Sequence, residues 1–418
     1  MNPKNNKKYL IRILSILVTV AISVNAFVSC TFRKSEESYE KLELIDSLFR
    51  TYSIFELDEE ALMDAVLKGY IEGTGDKYAE YFTAEEYERF TADNNGELVG
   101  IGISVIQNTD YGCIEIINVI PDSPALEAGL MPGDLIIYIG VGDEKKSVET
   151  VGYTNALELL QGDEGSVAEI TVWRVDEGKE IEFSIVREKV TAVSVTGRVC
   201  DTDETVGIVK ITKFDLTTPK QFTKAVDELL SKGCDKFVFD VRNNPGGDLR
   251  SIRAVLSYFL EDGDVFIRVS DRSGKMESDI IEAIEYSNAE DCNVSKEDVG
   301  KYRELNIAVL VNGSTASAAE LFTSALMDHK LSVTVGTVTY GKGTMQSTFS
   351  LASYGYGGAL KLTTNYYYPP FSDSYDGVGI TPDREVELDE ALKGKNIYKI
   401  TDAEDNQLQA AIDELYSK

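Results

Sequence analysis

The chain has 418 residues, 43% hydrophobic and 27% charged, a globular composition that argues against general disorder. Such a length exceeds one ordinary core and predicts two or three packing units. Forty-one basic residues against 71 acidic ones give a formal charge of −30, which excludes a phosphate-tracking nucleic-acid surface and keeps the body soluble by self-repulsion. One histidine, His329, is too few for a zinc centre built on several histidines. Five cysteines, Cys30, Cys113, Cys200, Cys234 and Cys292, lack metal-ligand spacing. Their odd count and wide gaps favour buried free thiols over a disulfide framework, with a single bridge as the alternative. No metal or organic cofactor is expected.

Residues 1–30 read as an export signal: Lys4, Lys7, Lys8 and Arg12 precede an acid-free, mainly apolar run from Tyr9 to Val28. Three fates compete. Val24-Asn25-Ala26 offers a signal-peptidase cut, the run is near the ~20 residues that span a bilayer, and Phe27-Val28-Ser29-Cys30 resembles a lipobox with Cys30 as the lipid carrier. Arg33 and Lys34 follow at once, and the orientation rule would hold that basic patch inside, which counts against a simple anchor. The body is expected to work outside the cytoplasm, membrane-anchored or secreted.

Residues 35–93 form an N-terminal helical segment. Leu42, Leu44, Ile45 and Leu48, then Leu62, Ala65, Val66 and Tyr70, recur at helical spacing through Lys41–Phe90. So short and acidic a piece must pack on the rest or pair with another copy. Residues 94–188 form a second unit of short strands (Ile101–Ile106, Cys113–Val119, Leu135–Ile139), a helix at Thr154–Leu160 and a closing strand Glu169–Arg174. Trp173, the only tryptophan, is expected in its core.

Residues 189–390 alternate strand and helix: Thr205–Ile211, Pro219–Leu230, Lys236–Val241, Leu249–Leu260, Asn306–Val311 and Thr315–His329. That rhythm implies a largely parallel sheet with crossovers. The polar stretch 270–304 reads as an insert. A β segment follows through Leu360–Tyr368, and 391–418 form a helical tail, Glu404–Leu415. The fold class is α/β multidomain.

Gly100-Ile101-Gly102-Ile103 opens the second unit just before a strand. Its glycines let consecutive N–H groups converge on an anion such as a terminal carboxylate, although a plain glycine turn fits as well. The run from Val119 to Ile136 (V-I-P-D-S-P-A-L-E-A-G-L-M-P-G-D-L-I) resembles the most recognisable stretch of PDZ domains. That resemblance implies capture of peptide carboxyl termini at Gly100, Ile101, Gly102 and Ile103.

Three corners could carry chemistry. In Val311-Asn312-Gly313-Ser314-Thr315-Ala316-Ser317-Ala318-Ala319-Glu320 a strand runs into a helix whose first N–H groups lack internal partners, a ready oxyanion site. The same segment spells a capping box, Ser317-x-x-Glu320. Three hydroxyls crowd it, and spacing selects none. Asp240-Val241-Arg242-Asn243-Asn244-Pro245-Gly246-Gly247 ends a buried strand in a rigid turn that aims N–H groups outward, or simply connects two elements. Thr339-Tyr340-Gly341-Lys342-Gly343-Thr344-Met345-Gln346 frees a lysine to lie in a cleft, or on a surface loop. His329 reads as helix-terminal or solvated.

Together these segments resemble the carboxyl-terminal processing, or tail-specific, peptidases. The resemblance covers nearly everything from Leu42 to Val386, including Gly379-Ile380-Thr381-Pro382-Asp383. It implies a crotonase-like catalytic core, with Ser317 as nucleophile, Lys342 as general base and Gln346 as its orienting partner. Oxyanion donors would be the N–H groups of Gly246 or Gly247 and of Ala318. Substrates would be proteins or peptides with free carboxyl ends, and an activating peptide or adaptor is compatible, as is a homodimer through the N- and C-terminal helices. A lysine serves as base only when neutral, and burial lowers its ordinary pKa of about 10.4. Arg174 is a candidate for sensing peptide occupancy of the second unit. Two departures stand out: Gly75-Asp76-Lys77-Tyr78 is looser than the family's Asp-Pro-x-Ser, and 270–304 is longer. The rivals are a non-catalytic PDZ scaffold and a crotonase-like enzyme.

Overall fold

The computed structural model describes residues 39–109, 111–393, 395 and 400–417; the export signal and Cys30 lie outside the described residues. The chain divides after Gly73 into two units. The first contains helix α1 (39–52) and helix α2 (Glu59–Glu72). Asp58 caps α2 by accepting the Ala61 N–H, and Arg50 joins Asp46 at 2.7 Å to Glu59 at the start of α2. No residue of α2 is buried, and Leu44, Ile45, Leu48 and Phe49 of α1 remain exposed.

The second unit claims the remainder of the Lys41–Phe90 pattern, as strand β1 (Glu80–Phe82) and helix α3 (Ala84–Asn94). A Thr83–Glu86 capping box starts α3. Strand β2 (Glu97–Gly100) leads into a module that runs β3 (Ile103–Asn108), β4 (Cys113–Val119), α4 (Pro124–Ala128), β5 (Leu135–Ile139), β6 (Lys146–Ser147), α5 (Val148–Val151), α6 (Tyr153–Leu160), β7 (Val167–Arg174) and β8 (Lys179–Val186). The chain then returns beside its starting point, β9 (Glu188–Thr191) pairing antiparallel with β2. The module's sheet has the order β3-β4-β5-β7-β8, with β6 on β5, so β3 is an edge strand. Ile114, Ile116, Ile136, Ile170 and Val172 fill its core around Ala125 and Ala156.

Two expectations for this module are corrected. It closes not at Arg174 but with β8, which pairs with β7 along its whole length. Trp173 is 38% exposed, because strand alternation turns Val172 and Arg174 inward and the indole outward. Arg174, the candidate for sensing peptide occupancy, is held in an ion pair. Its guanidinium grips Asp134 with two 2.7 Å hydrogen bonds and donates to Gly129 O at 2.8 Å, pinning β7 to the glycine turn before β5.

The remaining strands and helices are β10 (Val195–Val199), β11 (Val206–Ile211), α7 (Thr218–Ser231), β12 (Lys236–Asp240), α8 (Leu249–Ser257), β13 (Val265–Ser270), β14 (Met276–Ile280), β15 (Asn306–Val311), α9 (Ala318–Asp328), β16 (Ser332–Gly336), β17 (Thr344–Ser350), β18 (Ala359–Tyr368), β19 (Arg384–Glu385) and α10 (Asn406–Tyr416). One sheet has the order β10-β11-β12-β15-β16-β19, parallel from β11 onward. Its central strands are continuous apolar runs because both faces are covered. Phe222 of α7, Val255 of α8 and Phe322 of α9 join the main core, while Leu408, Ala411, Ile412 and Leu415 of α10 close the opposite face. The apolar face of the tail is thus occupied within the chain.

A second, antiparallel sheet is built on β18, which pairs with β17, β1 and β13. The polar stretch 270–304 is integrated rather than inserted. The β13–β14 hairpin carries its charges on an exposed strand, while Ile281, Cys292, Val294 and Tyr302 enter the main core. Cys113 is buried, Cys200, Cys234 and Cys292 are buried free thiols, and burial pushes the Cys292 thiol up to about 12. Among the described residues no helix is long and apolar enough to cross a membrane.

Candidate active site

The β15–α9 corner is held from three sides. Thr315 is buried, its hydroxyl donating to Val241 O at 2.9 Å, and its carbonyl accepts the Tyr340 N–H at 3.0 Å. The Ala316 N–H donates to Asn244 O at 2.9 Å. Between these tethers Ser317 adopts φ 56°, ψ −121°, and α9 begins only at Ala318, three residues later than its sequence suggests. A non-glycine residue there costs on the order of 1–3 kcal/mol, sustained only where the surroundings over-determine it. Of the three crowded hydroxyls, that of Thr315 is spent on the backbone and Ser314 lies outside the cleft; Ser317 lines it.

Glu320, fully buried, ties this corner to the lysine loop. Its Oε2 accepts the N–H groups of Ser317 at 2.9 Å and Lys342 at 2.8 Å. Its Oε1 accepts the Thr339 hydroxyl at 2.5 Å and the Gly341 N–H at 2.7 Å. The carboxylate thus does the backbone half of a capping box and clamps a second loop as well. Spacing gave the first role and no hint of the second.

The turn after β12 lies against the same corner. A Cβ on Gly246, at φ +103°, would stand 2.8 Å from both Ala318 N and Ser317 Cβ, so only glycine permits this approach. The Gly246 N–H is already committed, donating to Asn244 Oδ1 at 2.8 Å. This removes Gly246 from the expected donors. The N–H groups of Gly247 and Ala318 have no acceptor among the described residues, and both residues line the cleft. Behind the turn, buried Arg242 meets Asp240 at 2.9 Å and Asp405 at 2.8 Å, and Lys210 lies 3.1 Å from Asp240. Burial opposes ionisation of Asp240, but Arg242 and Lys210 outweigh it and hold the carboxyl well below its usual range.

Lys342 is half-buried between Gly341 and Gly343, with its Nζ 4.4 Å from the centroid of the Tyr78 ring. The buried Tyr367 hydroxyl donates to Lys342 O at 2.5 Å. Burial lowers the Lys342 pKa; the nearby charge of Lys361, with a smaller share from Lys77, adds to this, and Glu320 opposes it. Gln346 lies on β17, at a register shift in which the extra residue, Thr364, belongs to β18. Its carboxamide donates to Thr344 Oγ1 at 3.3 Å and Thr363 Oγ1 at 3.1 Å, rather than to the lysine.

Ser317, Ala318, Gly247, Lys342 and Gln346 share one cleft of about 1170 Å³. Its walls add Tyr78, Leu321 and Tyr367, of which sequence reasoning named none for the site. Gly75–Tyr78 carried a signal only as a departure from a known pattern. His329 is elsewhere, helix-terminal as the sequence suggests, at the C-cap of α9, with its side chain turned inward and Nε2 2.8 Å from Val265 O. Gly100–Ile103 lies in the β3–β8 module, where Ile101 joins the core and Gly102 takes φ +85° against Ser123.

Residues 205–386 match the family model described as peptidase family S41. The chain is 29% identical over 400 residues to a carboxy-terminal-processing protease of Bartonella bacilliformis, covering 94% of this chain and 86% of the relative. It is 28% identical over 393 residues to a "Probable CtpA-like serine protease" of Staphylococcus saprophyticus, covering 93% and 74%. In structure it is similar to a candidate S41 protease of Bacteroides fragilis, at 19% identity and TM-score 0.53, over 90% of this chain and 97% of the other. That likeness extends to the fold. With similarity to a carboxy-terminal-processing protease running nearly end to end and the matching motifs brought to one cleft, residues 205–386 of the chain resemble peptidase family S41.

Proposed function

We propose that the chain is a serine endopeptidase in which Ser317 attacks and Lys342 moves the protons. The observation that carries this is convergence: a serine on a strained corner and a lysine depressed by burial line one cleft, joined through the Glu320 carboxylate. The neutral amine takes the Ser317 proton as Oγ adds to the scissile carbonyl. The oxyanion is received by the N–H groups of Gly247 and Ala318, whose positions cost no reorganisation. Collapse transfers the lysine proton to the leaving amine and leaves an ester on Ser317. Water, deprotonated by the same lysine, then releases the acid. Gln346 supports this site through Thr363.

The β3–β8 module supports a PDZ-like role. Its edge strand β3 presents an unpaired ladder beside the Gly100–Ile103 loop, where a peptide end adds as a further strand. Substrates or activators with free carboxyl termini fit that mode, and the apolar run 9–28 supports a site of action outside the cytoplasm.

The test is hydrolysis of an unfolded reporter protein by the full chain. Ser317→Ala and Lys342→Ala should each abolish new fragments, while His329→Ala should retain most of the activity. Turnover without Lys342, or its loss in folded His329→Ala, overturns the assignment. An intact chain that binds peptide ends without cutting would be a scaffold.

A further inference from the structure

The lysine amine must be neutral before it acts and positive immediately afterwards. Burial serves the first requirement; something beside Nζ has to serve the second. The groups that face Lys342 are Lys361 and Tyr367 on β18, Lys77 and Tyr78 before β1, the Glu320 carboxylate at its backbone N–H, and Asp376 at the N–H of Gly343. Lys361 and Lys77 repel a forming ammonium. The Tyr78 ring does the opposite, since its face carries negative potential that attracts a cation and is nearly indifferent to an amine.

Resting on the Ser–Lys reading, we propose that Tyr78 is a positioning residue whose ring face holds the Lys342 Nζ and stabilises the ammonium formed when Ser317 gives up its proton. The geometry is a 4.4 Å separation of Nζ from the ring centroid inside the cleft. The ring is not placed by packing alone. The Tyr78 N–H donates to Asp76 Oδ1 at 3.0 Å, and the Ala79 N–H donates to Asp76 O at 3.1 Å. Asp76 in turn accepts the Thr363 N–H at 2.9 Å and the Thr363 hydroxyl at 3.0 Å. Thr363 is the cross-strand partner of Gln346, and its Oγ1 accepts the Gln346 amide at 3.1 Å. Gln346 therefore reaches the base indirectly, through Thr363, Asp76 and the ring of Tyr78.

Because the attraction exists for the ammonium and hardly for the amine, it grows along the proton transfer and appears in kcat. The experiment measures kcat and KM for a short reporter peptide against pH, in the full chain carrying Tyr78→Phe or Tyr78→Leu, with Lys342→Ala as control. Tyr78→Phe keeps the ring and should stay within about 2-fold of the parent. Tyr78→Leu should lower plateau kcat by roughly 3- to 30-fold with KM little changed. Its acid limb should move to lower pH, since a lysine without the ring gives up its proton more readily. If the Leu variant does not fold, phenylalanines with one, two or three ring fluorines at position 78 drain the same potential at nearly constant shape, and kcat should fall stepwise. A Leu variant with the parent's kcat, an acid limb that stays or moves to higher pH, a Phe variant as slow as Leu, or indifference to fluorination overturns the role of Tyr78. Turnover surviving Lys342→Ala overturns the Ser–Lys reading instead.

Discussion

Glu320 and Lys342 are joined through the backbone rather than as an ion pair: the buried carboxylate accepts the lysine's own N–H at 2.8 Å, leaving the amine free to face the cleft. One oxygen thereby spaces the strained Ser317 corner from the base loop. Replacing Glu320 with Ala strands three N–H groups and one hydroxyl, and a buried donor without an acceptor costs about 1–3 kcal/mol. The expected loss is about 3 kcal/mol or more in denaturant unfolding. Activity should fall on the order of 100-fold or more, because small misplacements of reacting groups are that costly. Glu320→Gln keeps the shape but turns an NH₂ toward donors, so wild-type kcat/KM in that variant would refute the clamp.

Lys361 offers a test of the base by pH. It pairs across the sheet with Glu80 at 2.6 Å, and its charge helps to depress Lys342. Lys361→Met removes a like charge, which raises the lysine's pKa and shrinks its neutral fraction at any pH below that value. The acid limb of kcat should therefore move to higher pH, with a stability change of at most about 1 kcal/mol for so open a pair. An unmoved limb would leave burial as the whole cause of the depression.

The Asp134–Arg174 pair should behave as a structural pin. Removing one partner of a buried pair costs on the order of 3–5 kcal/mol, because the other charge stays behind unpaired. Asp134→Asn is expected to speed hydrogen exchange in β5 and β7 while sparing β12 and β15. Uniform exchange across both sheets would show that the module does not open independently.

Peptide occupancy of the β3 edge should regulate the cleft only if the peptide prefers one arrangement of the chain. A free apolar carboxyl end, added in trans, is expected to stimulate hydrolysis of a reporter too short to reach the Gly100–Ile103 loop. Its amidated twin should not. A rate unaffected by a peptide that demonstrably binds would make the module a tether.

The parallel sheet was legible because β11, β12 and β15 are apolar runs separated by helices of helical period, and both bounding corners contain diagnostic small residues. Strand β8 was not, since Lys179-Glu180-Ile181-Glu182 mixes charge with apolar residues on a half-exposed hairpin. Trp173 misled for a related reason: a rare, large residue suggests a core, whereas strand alternation decides its direction. Local spacing left Ser317 as one of three hydroxyls and the family resemblance chose it; its positive φ is a feature that no local sequence rule assigns to serine. Tyr78, Asp76 and Thr363 were invisible because their meaning lies in long-range pairing; Thr363 stands 287 positions from Asp76.

The contact between Arg242 and Asp405 has a temporal consequence. These residues are 163 positions apart, and the guanidinium sits directly behind the turn that supplies Gly247. A chain threaded in order from its N-terminus presents Arg242 long before Asp405 arrives, and burying that charge with half its counter-ions missing is unfavourable. The turn after β12 is therefore expected to be best ordered once α10 has docked. On the proposed mechanism, folding itself then serves as a safety catch, with cutting power expected only once the molecule that carries it has finished closing.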